Sequence, residues 1–179
     1  MPRPANPQEP NRATDYLTFF IAGEEYGVPI LRVREILQFR ALTRVPAAPP
    51  CVRGVINLRG SVVPVADLAI QFRQPECAIT KFTCVVVVEV AIEDELAVMG
   101  LMVDSVNQTV ALGEGDIEAT PTFGTLARPE YLLGMGRADN KFILLLDIDR
   151  ALSSEALEVA HARVELPPDL PEAEAAQDG

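Results

Sequence analysis

Asp67, Asp104 and Asp147 each close an apolar run, and they are the side chains of this sequence best suited to proton chemistry. A carboxylate beside a buried surface can serve as a general acid or base. Asp67 and Asp147, however, follow strand-like segments at matching places, where an aspartate caps the first turn of a helix, and capping is the better account of them. Cys51, Cys77 and Cys84 are the candidate nucleophiles or ligands; they are odd in number, lack metal-ligand spacing, and read as reduced thiols. The single histidine, His161, stands among alanines on a predicted last helix. No serine or cysteine sits in a nucleophile-elbow context, and no glycine-rich phosphate loop occurs. The sequence therefore predicts no enzyme, no metal and no cofactor.

Arg59 has a more informative setting. It lies in VRGVINLRGSVVPVADL, Val52 to Leu68, where Val52, Val55, Ile56, Leu58, Val62, Val63 and Val65 are mostly β-branched and favour strands. Arg59-Gly60-Ser61 is a turn signal between two such runs. A guanidinium at the tip of so apolar a hairpin is a solvated turn residue or a recognition group. The hairpin recurs: Gly54 stands thirteen residues before Asp67, and Gly134 thirteen before Asp147. Gly27 precedes Val33 by six residues, as Gly100 precedes Val106. These matches describe a β-rich unit of about seventy to eighty residues, present twice. Arg59 falls opposite Asp139 of the second unit, so the shared hairpin does not require an arginine, which favours recognition.

The elements that must position these residues follow from pattern and composition. Tyr16–Ala22 and Glu25–Val28 read as strands around Gly23, and Pro29–Phe39 as a short helix passing into a strand. Pro64 inside a strand marks an edge or a bulge. Phe82–Val90 is an almost continuous β-branched run and reads as a strand buried on both faces. Leu96–Val103, Ser105–Leu112 and Phe142–Ile148 complete the strands, and Asp149 or Ser153 opens a C-terminal helix over about 150–163. The class is all-β, of barrel type, with few helices. Residues 1–14 and the acidic segment 164–179 read as disordered tails flanking one domain over 15–163, with repeat units at about 16–80 and 81–150. Two barrels of that size are marginal alone and do better sharing a core. The net charge of −11 argues against nucleic acid, and no run reaches the roughly eighteen apolar residues of a membrane span. From Ile30 to Gly60 the charges are Arg32, Arg34, Arg40, Arg44, Arg53 and Arg59 against Glu35 alone, whereas Phe82 to Ala127 holds no Lys or Arg. A basic first half and an acidic second half would suit head-to-tail association.

EEYGVPILRVREI followed by VRGVINLRGSVVPVADL resembles the CheW family of chemotaxis coupling proteins, as do VMGLMVDSVNQTVAL, TPTFG and PEYLLGMG; the likeness covers roughly Tyr16 to Leu157. The resemblance implies two intertwined five-stranded SH3-like β-barrels sharing a core. It further implies a non-catalytic adaptor in the cytoplasm, at membrane-associated receptor arrays and without membrane insertion, that couples chemoreceptor cytoplasmic tips to the regulatory domain of a CheA-type histidine kinase. By the same resemblance Val33, Arg59 and Val106 match receptor-binding positions, with Gly54 and Gly100 keeping the backbone close. Glu35 and Ile36 match kinase-binding positions, and Phe123 the aromatic of a weaker contact that closes rings. Thr109 departs from the apolar groove residue common in the family. The rival reading, a small-ligand-binding β-barrel, requires one deep enclosed pocket with convergent polar groups.

Overall fold

The computed structural model describes residues 13–92, 94–120 and 129–152. The segments expected to be tails, Phe123 and the helix expected past Leu152 lie outside these residues. The order is β1 (Thr14–Ile21), β2 (Glu24–Pro29), a 3-10 turn (Ile30–Arg32), β3 (Val33–Gln38), β4 (Val52–Leu58), β5 (Ser61–Asp67) and the short helix α1 (Leu68–Gln71). There follow β6 (Cys84–Ile92), β7 (Glu95–Val103), β8 (Ser105–Leu112), a 3-10 turn (Glu114–Asp116), β9 (Ile117–Glu118), a 3-10 turn (Pro129–Tyr131), β10 (Leu132–Ala138), β11 (Lys141–Leu146) and α2 (Ile148–Ala151). Among the fully described turns, Ala22-Gly23, Arg59-Gly60 and Asp139-Asn140 each close a hairpin on two residues, all six at positive φ. That conformation matches the right-handed twist of the strands it joins.

The strands form two sheets, β8-β1-β2-β11-β10-β9 and β3-β6-β7-β5-β4, and each draws on both halves of the chain. β1 and β2 of the first half join the closing strands of the second, while β6 and β7 of the second join the closing strands of the first. The two parallel junctions are the same contact made twice, Leu145 beside Gly27 and Val65 beside Gly100. Register shifts fall at matching places too, between Val52 and Gly54 and between Leu132 and Gly134. Even β9, which pairs with Met135 and Gly136, has a counterpart in the isolated bridge of Thr43 to Val55. The sequence duplication is real, but the repeat and the barrel divide the chain differently.

The core explains the long β-branched run of β6. Val85 and Val87 face the interior of the second sheet with Leu37, Val63, Val65 and Met102. Val86, Val88 and Val90 face a larger cluster shared with Phe19, Tyr26, Leu144 and Leu146 of the first sheet. A strand between two cores has no polar face to present.

Several expectations are corrected. Asp147 caps a one-turn helix, α2, that ends at Ala151, and its carboxylate accepts from the Arg150 N–H; the helix expected to follow lies outside the described residues. Pro64 lies just outside the Val65–Asp67 stretch that pairs with β7, where the missing N–H costs no bond to that strand. The basic and acidic halves do not become a basic and an acidic barrel. Arg34 pairs with Glu89 at 3.4 Å within one sheet, and Arg32 reaches Asp149 at 2.6 Å and the Glu89 carbonyl at 2.9 Å.

Candidate functional site

The carboxylates that suggested proton chemistry are engaged by structural donors. Asp67 is fully buried and accepts from the Ala69 N–H at 3.0 Å, the Cys77 N–H at 2.8 Å and the Arg53 guanidinium at 3.0 Å. A buried carboxylate with three donors, one of them charged, has its desolvation offset, and it both caps α1 and ties down the loop before β6. Asp104 accepts from the Ala22 N–H at 2.9 Å and the Cys77 thiol at 3.1 Å, joining the β1–β2 turn to the same loop. Burial, reinforced by the Asp104 carboxylate, raises the Cys77 thiol well above its ordinary range, so it is a poor nucleophile. All three cysteines are free thiols. Among the described residues no group of three His, Cys, Asp or Glu side chains is placed to hold a metal ion.

Arg59 is exposed at the hairpin tip, and its guanidinium forms a two-bond fork with the Glu35 carboxylate, 2.9 Å from Nη1 to Oε2 and 3.0 Å from Nη2 to Oε1. Glu35 lies on β3 and Arg59 between β4 and β5, at opposite ends of the sheet order, so the pair bridges the open side of the barrel. The tip is held by its own sequence: the Gly60 N–H donates to the Asn57 side chain at 2.9 Å. Around the pair is an open depression of about 440 Å³, floored by Leu58, Val62, Val63 and Val98. The arrangement suits recognition, a positioned ion pair beside apolar surface, and offers no reacting group.

Val33 and Val106 are repeat equivalents and occupy equivalent places. Each is half-buried at an irregularity of its strand, Val33 opposite Val88 and Val106 opposite Phe19, and both pack on the shared core. Ile36 is also half-buried against that core, next to Glu35. Gly54 and Gly100 are buried and make room for the chain itself. A Cβ on Gly54 would stand 2.6 Å from the Thr43 carbonyl, and one on Gly100 2.6 Å from a Val85 methyl. Thr109 is exposed. The structure thus joins Glu35 with Arg59, residues the sequence assigned to different partners, and places the two glycines in the interior.

Two surface features escaped the sequence. Leu31 is 88% exposed in the 3-10 turn beside Val33. A second depression, of about 540 Å³, lies between Phe39, Leu42 and Ile79, with Arg40, Arg44 and Arg53 around it. The cluster of arginines was its visible signal; that Ile79 would join them was not.

Residues 15–156 match the family description "CheW-like domain". The chain is 35% identical to the chemotaxis protein CheW of Klebsiella aerogenes over 143 residues, covering 80% of this chain and 84% of that protein. It is 30% identical to protein FrzA of Myxococcus xanthus over 142 residues, covering 78% and 86%. Among solved structures it is similar to the scaffolding protein TtCheW of Thermoanaerobacter tengcongensis, with a TM-score of 0.71, 26% identity and coverage of 87% of this chain and 96% of that one.

Proposed function

The chain belongs to the CheW-like domain family, and we propose that it is a non-catalytic adaptor coupling chemoreceptor cytoplasmic tips to a CheA-type histidine kinase, working in the cytoplasm at receptor arrays. The observation that carries this reading is the Glu35–Arg59 fork at a depression that mixes Arg34 and Ser61 with Leu58, Val62 and Val98, in a chain whose candidate carboxylates and Cys77 thiol are held by structural bonds. Val33, Arg59 and Val106 meet the receptor, Glu35 and Ile36 meet the kinase regulatory domain, and Phe123, outside the described residues, anchors the weaker ring contact. Buried Gly54 and Gly100 serve the receptor contact indirectly, by fixing the backbone that carries it. The rival ligand-binding barrel is less well supported, because apolar side chains fill the interior of both sheets.

The test is calorimetric titration of the purified regulatory domain into the full chain. Ile36→Ala or Glu35→Arg should weaken binding by about 1–3 kcal/mol, the range of an interface hot spot. Phe123→Ala should spare this contact while weakening the assembly of rings in sedimentation. Unchanged affinity in both β3 variants overturns the assignment.

A further inference from the structure

We propose that the depression between Phe39, Leu42 and Ile79 is the docking site of the chain's own acidic, proline-rich segment Glu165–Glu172. The groove combines apolar and cationic lining: Ile79 is 60% exposed, Phe39 and Leu42 lie beside it, and Arg40, Arg44 and Arg53 surround them with no acidic residue in the lining. Arg53 already serves Asp67, so Arg44 is the cation on which the charge argument rests. An occupant must therefore carry apolar side chains flanked by carboxylates.

The sequence contains such a segment. ELPPDLPE, Glu165 to Glu172, sets Leu166 and Leu170 among Glu165, Asp169 and Glu172, and no Lys or Arg occurs from there to Gly179. Pro167, Pro168 and Pro171 fix φ, so the segment is disposed to an extended polyproline conformation and loses little entropy on docking. Apolar grooves in which extended proline-rich segments dock gain affinity from that pre-organisation.

The chain is long enough to make the contact in cis. α2 sits at the far end of β6, where the Ala91 N–H donates to Asp149 at 2.8 Å. The groove sits at the near end, where the Phe39 N–H donates to the Thr83 carbonyl at 2.9 Å. The nine residues of β6 span roughly 30 Å at about 3.3 Å per residue. Residues 153–164 cover about 40 Å when extended and about 18 Å as a helix, so the contact requires the helix predicted over about 150–163 to give way to extended chain beyond α2. A tether of this length holds the segment at a high effective concentration near the groove.

The experiment compares amide hydrogen exchange at residues 39–42 and 79 in the full chain and in full-length Leu166→Ser/Leu170→Ser. These amides should exchange several-fold faster in the variant, and faster in the parent at high salt than at low. Arg44→Glu should abolish the protection, and Glu165→Lys/Asp169→Lys on that background should restore it. A fluorescent peptide of residues 163–174 should bind the Leu166→Ser/Leu170→Ser chain about tenfold more tightly than the parent, whose tethered segment competes. Equal exchange or equal peptide affinity in the two chains overturns the proposal. Protection that vanishes on dilution also overturns it, because the segment then comes from a second copy.

Discussion

Arg59 illustrates how one side chain answers to two demands. Its backbone is left-handed, φ 51°, a conformation that costs a non-glycine residue about 1 kcal/mol or more. The fork to Glu35 is bidentate but exposed on the arginine side, and such pairs give back about 1 kcal/mol at most. Stability alone would therefore favour glycine. We expect Arg59→Gly to keep or raise the melting temperature, and Arg59→Ala to change stability by about 0.5 kcal/mol. Both should weaken receptor binding alike, measured by titration against a soluble receptor tip; a large drop in melting temperature for either would make Arg59 structural. Cys77 gives a second expectation at this scale. Burial holds its thiol neutral in the folded chain, whereas the unfolded thiol ionises near pH 8.5. The folded state therefore holds the proton more tightly, its advantage is complete below about pH 8.5, and it is lost progressively as pH rises above that. Denaturant melts at increasing pH should show stability falling through the alkaline range, with a shallower fall in Cys77→Ala; identical slopes would contradict the assignment.

At the scale of elements, glycines let strands close on their neighbours. Gly54, at φ 156°, lets the segment around Thr43 bridge to Val55, and Gly134 lets β9 pair with β10, where a Cβ would stand 2.9 Å from Ile117. Gly54→Ala should cost about 2 kcal/mol, combining backbone strain with the clash at the Thr43 carbonyl. Thermal melts check it: Gly54→Ala should melt clearly below the parent, and a melt at the parental temperature would return Gly54 to a surface role. The duplication, the hairpin turns and the doubly buried β6 were legible because each is written locally, in spacing, in turn residues or in an unbroken run. The capping role of Asp67 was legible for the same reason. Its bonds to Arg53 and Cys77, and the bond of Asp104 to Cys77, were not, because they join segments whose proximity only the sheet order determines. The fork between Glu35 and Arg59 was hidden likewise: barrel closure brings the ends of the sheet together, and no local pattern records it.

For the whole molecule, reciprocal exchange of strands makes the two halves interdependent. The first half alone leaves the second sheet without β6 and β7, the second half alone leaves the first sheet without β1 and β2, and in either case the shared cluster of Phe19, Tyr26, Val86 and Val88 is half empty. Residues 1–80 and 81–179, produced separately, should each lack a folded monomer, and an equimolar mixture should recover the circular dichroism and cooperative melt of the intact chain. A stable monomeric fold from either half overturns this. The charge pattern follows the same logic. Because the exchange puts Arg34 of β3 beside Glu89 of β6, the sequence asymmetry is partly neutralised inside one barrel.

The exchange also has a bearing on descent. Replacing each strand by its repeat equivalent turns the order β8-β1-β2-β11-β10 into β3-β6-β7-β5-β4, with the Gly27–Leu145 and Gly100–Val65 junctions as matched marks. An isologous homodimer of a single unit, each copy lending its opening hairpin to the other, would have the same architecture. Joining two such copies end to end, across the connection that now runs from α1 to β6, turns that dimer into one chain without moving a strand. Once joined, the copies are free to diverge, and the hairpin tips record it: arginine at 59 in one, aspartate at 139 in the other.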